Sequence, residues 1–100
     1  MLNSRKILIV DDDGEVAALM DRFVQKMGHD SRIAGSGEEA MKVFPDYLPD
    51  AVILDVIMPR MDGVEFLRWL GENFPKRTAI LIVSGHTGQY MDSLQKLGEG

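Results

Sequence analysis

The feature that most constrains the fold is a short apolar run, residues 51–55, that ends in the carboxylate of Asp55. Its first four residues are consecutive and apolar, and such a run is typical of a strand buried on both faces, as in parallel sheets. Open α/β sheets bind their ligands in the crevice outside the carboxyl ends of the strands. The run therefore predicts that Asp55 lies at a ligand-binding edge of a parallel sheet.

Three other short strands are predicted, and amphipathic segments alternate with all four. The predicted strands are residues 7–10, 29–34, 51–55 and 79–83, with Ile33 as the apolar anchor of the second. The predicted helices follow at about 14–27, 37–44, 62–74 and 87–97. Four such β–α units imply an α/β fold: a three-layer, doubly wound parallel sheet with helices on both faces, joined by right-handed crossovers.

The helix limits follow from capping and breaking residues. Asp12 or Asp13 is a suitable N-cap for the first helix, and Gly28 is a suitable stop. The second helix begins at a capping box in residues 36–39 and is predicted to end at Pro45, because proline disrupts helix interiors. Six apolar residues at helical spacing form the predicted inner face of the first helix: Val16, Leu19, Met20, Phe23, Val24 and Met27.

Composition narrows the class of protein. One hundred residues with 45% hydrophobic content suffice for one domain, 1–100, and not for two. The net charge of −5 argues against direct nucleic-acid contact, which needs a basic surface. The chain has no cysteine, so a disulfide framework and a thiolate metal site are excluded. No apolar stretch approaches the roughly 20 residues of a membrane span, so no membrane contact and a cytoplasmic location are expected.

Polar side chains follow three of the predicted strands. Asp11 and Asp12 follow the first, Asp55 ends the third, and Ser84 follows the fourth. Three carboxylates in one crevice repel one another unless a cation neutralises them, and Mg²⁺ accepts oxygen ligands of this kind. A carboxylate can also act as a nucleophile and form an aspartyl-phosphate. Ser84 would then lie where it can hydrogen-bond a phosphoryl oxygen.

Acidic residues at strand ends usually cap the following helix. Capping is the better interpretation for Asp13 and for Asp62, since each stands directly before a helical pattern. Asp55 is different, because residues 56–59 follow it and end in a proline. No helix begins there for Asp55 to cap, so a chemical role explains it better.

Three segments together resemble the receiver domain of response regulators in two-component signalling. They are the pair Asp11–Asp12, the segment 54–63 with its D-x-x-M-P-x-M-D-G string, and Val83-Ser84-Gly85. The resemblance spans essentially the whole chain. It implies a flavodoxin-like receiver fold with strand order 2-1-3-4. It also implies a phosphoacceptor switch rather than a turnover enzyme.

The resemblance also implies a role for each matching residue. Asp55 would accept a phosphoryl group from a sensor histidine kinase or phosphotransfer protein. Asp12 would ligate Mg²⁺ directly, Asp11 mainly through water, and Ile57 through its backbone carbonyl. Ser84 would be the switch hydroxyl that moves towards the phosphoryl group. Phosphorylation would change the surface around the fourth helix and control an output domain or partner protein.

Part of the family's pattern has no counterpart in these 100 residues. Receiver domains have a lysine at the end of a fifth strand, and a fifth helix, and both would lie beyond Gly100. Lys96 is no substitute, because it falls on the fourth predicted helix. The sequence is therefore expected to be a fragment, with dimerisation possible through the fourth helix or the exposed fourth strand.

Ile57 and His86 would flank the path of an attacking water, and an apolar Ile57 predicts slow loss of the phosphoryl group.

Two other functions fit parts of the sequence. The string Asp11-Asp12-Asp13-Gly14 resembles the D-x-D-G motif of haloacid-dehalogenase-like phosphatases, in which Asp11 would be the nucleophile and Asp13 the general acid. Glu15 replaces that motif's usual threonine, and Asp55 would have no role. The second alternative is a pseudo-receiver, a protein-interaction module that is never phosphorylated. A dinucleotide-binding fingerprint in residues 35–40 is excluded, because its two glutamates would repel a pyrophosphate.

Overall fold

The computed structural model describes residues 4–55, 62–75 and 79–83. Its elements in chain order are β1 (Lys6–Val10), α1 (Gly14–Lys26), β2 (Asp30–Ala34), α2 (Gly37–Tyr47), β3 (Ala51–Asp55), α3 (Asp62–Asn73) and β4 (Ala79–Val83). The strands form one parallel sheet in the order β2-β1-β3-β4. The predicted fold and strand order are thus confirmed. The fourth predicted helix lies outside the described residues, and none of the described helices is long and apolar enough to cross a membrane.

Two apolar clusters lie on opposite faces of the central strand β1. Leu8 and Val10 belong to one cluster with the α2 and α3 side chains Phe44 and Phe66. Ile9, between them, belongs to the other cluster, which is built mainly from α1. This alternation is the period of two that a strand imposes on its side chains. Because β1 is covered on both faces, the position of the residues that follow its C-terminal end is fixed by the core.

Helix α1 begins at the predicted cap. The Asp13 Oδ1 atom accepts hydrogen bonds from the backbone N–H groups of Glu15, at 3.0 Å, and Val16, at 3.3 Å. At the other end Gly28 has a φ of 90°, a backbone conformation that favours glycine and explains why the helix stops there.

The predicted inner face of α1 is only half correct. Its buried apolar residues are Val16, Ala17, Met20 and Val24. The other three residues of the predicted face are 38%, 42% and 60% exposed: Leu19, Phe23 and Met27. Successive helical residues are rotated by about 100°, so Leu19 and Phe23 lie beside the buried stripe rather than on it. The helical spacing of the apolar residues in α1 thus predicted a buried face that is wider than the face that the sheet covers.

The predicted anchor of β2 is also wrong. Ile33 is 40% exposed, and its neighbour Ala34 is fully buried. The cause is the position of β2 at the edge of the sheet, where a side chain has a neighbouring strand on one side only. Helix α1 meets this strand through polar groups, since the Nε2 atom of Gln25 donates to the hydroxyl of Ser31 at 3.1 Å.

Helix α2 does not end at Pro45, as predicted, but continues to Tyr47. Leu48 then adopts a left-handed conformation with a φ of 48°, and its N–H donates to the Phe44 carbonyl at 2.8 Å. A proline in a helix forfeits one backbone hydrogen bond and crowds the preceding turn. The helix continues past Pro45 because its last turn carries the buried side chain of Tyr47, which is only 6% exposed.

The Tyr47 ring joins α2 to the first two strands. Its hydroxyl donates to the Oδ2 atom of Asp30 at 2.7 Å. The Arg32 guanidinium lies 4.8 Å from the ring centroid and the Lys6 ammonium 5.6 Å from it, both within cation–π range. Burial, followed by the hydrogen bond to Asp30, raises the pKa of Tyr47. These contacts hold the turn of α2 that contains Pro45 against the first two strands.

We expect Pro45→Ala to stabilise the fold by about 1–2 kcal/mol in urea-induced unfolding. The substitution restores one backbone hydrogen bond and removes the clash of the ring, a gain that exceeds the loss of proline's restriction of the unfolded chain. Pro75 provides a matched control, because it is exposed and follows the end of α3. Pro75→Ala should leave stability unchanged or slightly lower. A loss of stability in Pro45→Ala would contradict the prediction.

Candidate functional site

Three carboxylates lie together at the C-terminal ends of the two central strands. Asp11 follows β1 directly, and Asp55 is the last residue of β3, which pairs with β1 in parallel. With Asp12 they form a group in which one carboxylate oxygen from each residue lies within 4.8 Å of the others. The strand topology therefore brings together the three residues that the sequence pattern selected.

The three carboxylates differ in their exposure to solvent. Asp11 is 2% exposed and Asp55 is 7% exposed, whereas Asp12 is an exposed residue. The difference follows from where the pairing of the sheet ends, one residue past the end of β1. Asp11 stays within the sheet, where its N–H donates to the Ala34 carbonyl at 3.1 Å. The group thus has two buried members and one member open to water.

The two oxygen atoms of Asp11 have different partners. The Oδ1 atom accepts a hydrogen bond from the backbone N–H of Asp13 at 2.9 Å. The Oδ2 atom is buried and has no hydrogen-bond partner among the described residues. A buried carboxylate oxygen without a donor is costly, and such atoms in native proteins call for a specific explanation, such as a bound ion. The Oδ2 atom of Asp11 could therefore accept a cation.

The electrostatics of Asp11 lead to the same conclusion. Burial is the largest effect, and it raises the pKa of Asp11 from 3.8 to about 6. The hydrogen bond from the Asp13 backbone opposes this rise, while the negative charges of Asp55, Asp12 and Asp13 add to it. Without a counter-charge, the folded protein thus disfavours the ionised form of its own Asp11. A cation at the group would reverse this preference.

The donor set fits a hard divalent cation such as Mg²⁺. Its three members offer only carboxylate oxygens, which hard cations prefer, and the exposed Asp12 leaves room for waters. The remaining predicted contributors, Ile57 and Ser84, lie outside the described residues, as does His86. The structure therefore assembles the acidic part of the predicted site.

Asp13 contributes to this site in a way that the sequence interpretation missed. It was assigned as a helix cap, which it is, but its own backbone N–H also binds the Asp11 carboxylate. The available signal was the spacing: an aspartate often accepts a hydrogen bond from the N–H two residues later. Because its carboxylate is bonded to N–H groups of α1, the geometry gives no support to Asp13 as the general acid of a phosphatase.

Comparison with known sequences identifies response regulators among the relatives of this chain. The family model described as "Response regulator receiver domain" matches residues 7–98. The response regulator MprA of Mycobacterium sp. (strain KMS) is 41% identical over 73 residues, which cover 70% of this chain and 32% of that protein. The alkaline phosphatase synthesis transcriptional regulatory protein PhoP of Bacillus subtilis is 37% identical over 67 residues, covering 67% of this chain and 28% of that protein. The chain thus matches less than a third of the length of these relatives.

Solved structures show the same similarity. The receiver domain of the Francisella response regulator 1452 has a TM-score of 0.73 and 26% identity, and the alignment covers 92% of this chain and 77% of that one. The BeF3-activated N-terminal receiver domain of Klebsiella pneumoniae RstA has a TM-score of 0.71 and 28% identity, with 90% and 77% covered. The arrangement of the strands that carry the acidic group is therefore similar to that of known receiver domains.

Proposed function

Because the chain belongs to the response regulator receiver family, we propose that it accepts a phosphoryl group on the Asp55 carboxylate in a two-component phosphorelay. The observation that carries the proposal is the geometry around Asp55. This side chain is 7% exposed at the tip of β3, and it shares one group with Asp11 and Asp12, whose nearest oxygens lie within 4.8 Å. A carboxylate that is buried beside two others is uncommon in a folded protein.

We infer that Asp11, Asp12 and Asp55 hold Mg²⁺, together with the backbone carbonyl of Ile57 that the family pattern implies. The buried, unpartnered Oδ2 atom of Asp11 supports this inference. When bound, Mg²⁺ supplies positive charge next to the phosphoryl oxygens. The protein's own contribution is to hold Asp55 at the tip of β3, where it is largely shielded from water.

The proposed transfer is a displacement at phosphorus. An oxygen of the Asp55 carboxylate forms the new P–O bond, and the P–N bond of a phosphohistidine on the donor protein breaks. The electron pair of that bond stays on the imidazole nitrogen, so a phosphohistidine ring that is protonated on its other nitrogen leaves as neutral imidazole and needs no further proton. Positioning and charge stabilisation are the main catalytic contributions in such transfers. Ser84, as the family pattern implies, then hydrogen-bonds the phosphoryl group as the switch hydroxyl.

The proposed partners follow from the family. The donor is a sensor histidine kinase or a phosphotransfer protein, and the recipient of the signal is an output domain or partner protein. The relatives include a transcriptional regulatory protein, in keeping with such an output. We propose that the segment acts in the cytoplasm as a switch without turnover, as one receiver domain over 1–100. The predicted dimer contacts, and the absence of nucleic-acid and membrane contact by this segment, remain predictions.

The experiment that tests the proposal is mapping of the phosphorylated residue. We expect phosphoramidate with Mg²⁺ to place one phosphoryl group on Asp55, which mass spectrometry can locate after reductive trapping of the acyl phosphate. Omission of Mg²⁺ should suppress the labelling. Labelling of Asp11 instead would contradict the proposal and favour a phosphatase of the haloacid-dehalogenase type. A complete lack of labelling would favour the pseudo-receiver.

A further inference from the structure

Asp13 is bonded on two sides, to a helix and to the acidic group. Its side-chain Oδ1 atom accepts the N–H groups of Glu15 and Val16 at 3.0 and 3.3 Å. Its own backbone N–H donates to the Oδ1 atom of Asp11 at 2.9 Å. The same residue therefore fixes the start of α1 and one of the two oxygens of a buried carboxylate.

The helix to which Asp13 is bonded is itself fixed by the core. Val16, whose N–H binds Asp13, is 6% exposed, and the next residue, Ala17, is 1% exposed. The Ala17 N–H donates to the Asp13 carbonyl at 2.9 Å, which is the first backbone bond of the helix. The core thus holds the first turn of α1, the first turn holds Asp13, and Asp13 holds the Asp11 carboxylate.

This hydrogen bond determines which oxygen of Asp11 is left for a ligand. The Oδ1 atom is occupied by the Asp13 N–H, so the buried Oδ2 atom is the one without a partner among the described residues. Partners that orient a metal-binding carboxylate are a general feature of metal sites, and their loss weakens metal binding. Asp13 is itself exposed, so its replacement removes no buried apolar contact.

We propose that Asp13 is a positioning residue for the metal site: by capping α1 it holds the backbone N–H that orients Asp11 for Mg²⁺. The proposal rests on the proposed function, because it assumes that Asp11 contributes to Mg²⁺ binding. It assigns the effect to the cap of Asp13 and not to the negative charge of Asp13, and these two contributions can be separated by substitution.

Three substitutions at residue 13 separate the cap from the charge. Asp13→Asn keeps a capping oxygen and removes the charge, since asparagine is as good an N-cap as aspartate. Asp13→Glu keeps the charge, but its side chain is one methylene longer and is not among the preferred caps. Asp13→Ala removes both. Ser36→Ala is the control for a lost cap elsewhere, because the Ser36 Oγ atom caps α2 by accepting the Glu39 N–H at 3.0 Å.

The measurement is the Kd for Mg²⁺ by titration calorimetry, in roughly 0.5 M KCl, where the screening length is about 4 Å. We expect Asp13→Glu and Asp13→Ala to bind Mg²⁺ about five- to tenfold more weakly. This loss of affinity is small for a partner that orients a metal-binding carboxylate, because the backbone N–H itself remains. Asp13→Asn and Ser36→Ala should stay within about twofold of the wild type. The thermal midpoint should fall in both Asp13→Ala and Ser36→Ala, which separates stability from metal affinity.

Other outcomes would overturn the inference. If Asp13→Asn were as weak as Asp13→Ala while Asp13→Glu bound normally, charge and not capping would be responsible. Equal affinity in all the variants would show that the cap has no effect on the site. An equal loss in Ser36→Ala would show a general effect of helix fraying. A wild type that gave no binding heat and no Mg²⁺-dependent rise in thermal midpoint would overturn the proposed metal site, and the inference with it.

Discussion

Replacing Asp55 by Asn is expected to reduce phosphoryl incorporation from phosphoramidate to less than about 1% of the wild-type level. The amide has nearly the shape of the carboxylate but lacks its nucleophilic oxygen. The fold should persist, because the Asp55 charge raises the pKa of the neighbouring Asp11 and its removal relieves repulsion between the two side chains. Incorporation can be followed by intact-mass spectrometry, with circular dichroism as the check on folding.

Asp12→Asn is the matched control for that experiment. It also removes one negative charge from the acidic group, but from the exposed member and not from the proposed acceptor. We expect incorporation to become about 10–100-fold slower, with the phosphoryl group still on Asp55. Undiminished labelling of Asp55→Asn would contradict the assignment, and labelling that disappeared equally in both variants would show that charge alone is being tested.

The position of the acidic group was predictable because it depends on topology. Parallel strands direct their carboxyl ends to the same edge of a sheet, so residues that follow adjacent strands must meet there. Asp11 follows β1 and Asp55 ends β3, and these two strands are neighbours in the sheet. Consecutive apolar runs, their alternation with amphipathic segments and the strand order that the family resemblance implies were enough to predict that these residues meet, without any knowledge of side-chain contacts.

The errors fall where tertiary contacts outweigh local preference. Pro45 predicted a helix end, but the buried Tyr47 two residues later holds the last turn in place. Ile33 predicted an anchor, but its strand is at the sheet edge. Local rules describe what a segment prefers by itself, whereas these outcomes depend on which surfaces the neighbouring elements cover.

The inequality between Asp11 and Asp12 was likewise not predictable from the sequence. Both are aspartates after an apolar strand, and their burial depends on how far the sheet continues. In the structure Asp11 is bonded to the carbonyl of Ala34 on β2, and Asp12 is exposed. Burial is the largest of the effects that raise the pKa of Asp11.

Asp11→Asn is expected to stabilise the metal-free protein at pH 7 by up to about 3 kcal/mol. The folded-state pKa of Asp11 is about 6 and the reference value is 3.8, so the folded protein binds this proton more tightly than the unfolded chain. Well below pH 3.8 both states hold the proton and this contribution is fully present. As the pH rises from about 4 to 6 the unfolded chain ionises first, and the contribution is lost, with no further change well above pH 6.

Asp11→Asn has no ionisable group at position 11. Comparing it with the wild type therefore separates the ionisation of Asp11 from that of the other carboxylates. In the presence of a chelator, urea unfolding should give the two proteins nearly equal free energies of unfolding at pH 4. At pH 7 the free energy of unfolding of the variant should be higher. Saturating Mg²⁺ should stabilise the wild type and reduce the difference, because a ligand that binds the folded state shifts unfolding by mass action. Asp46→Asn, at an exposed position of α2, should behave like the wild type throughout. A variant that was less stable than the wild type at pH 7 without Mg²⁺ would show that the burial of Asp11 does not oppose its ionisation.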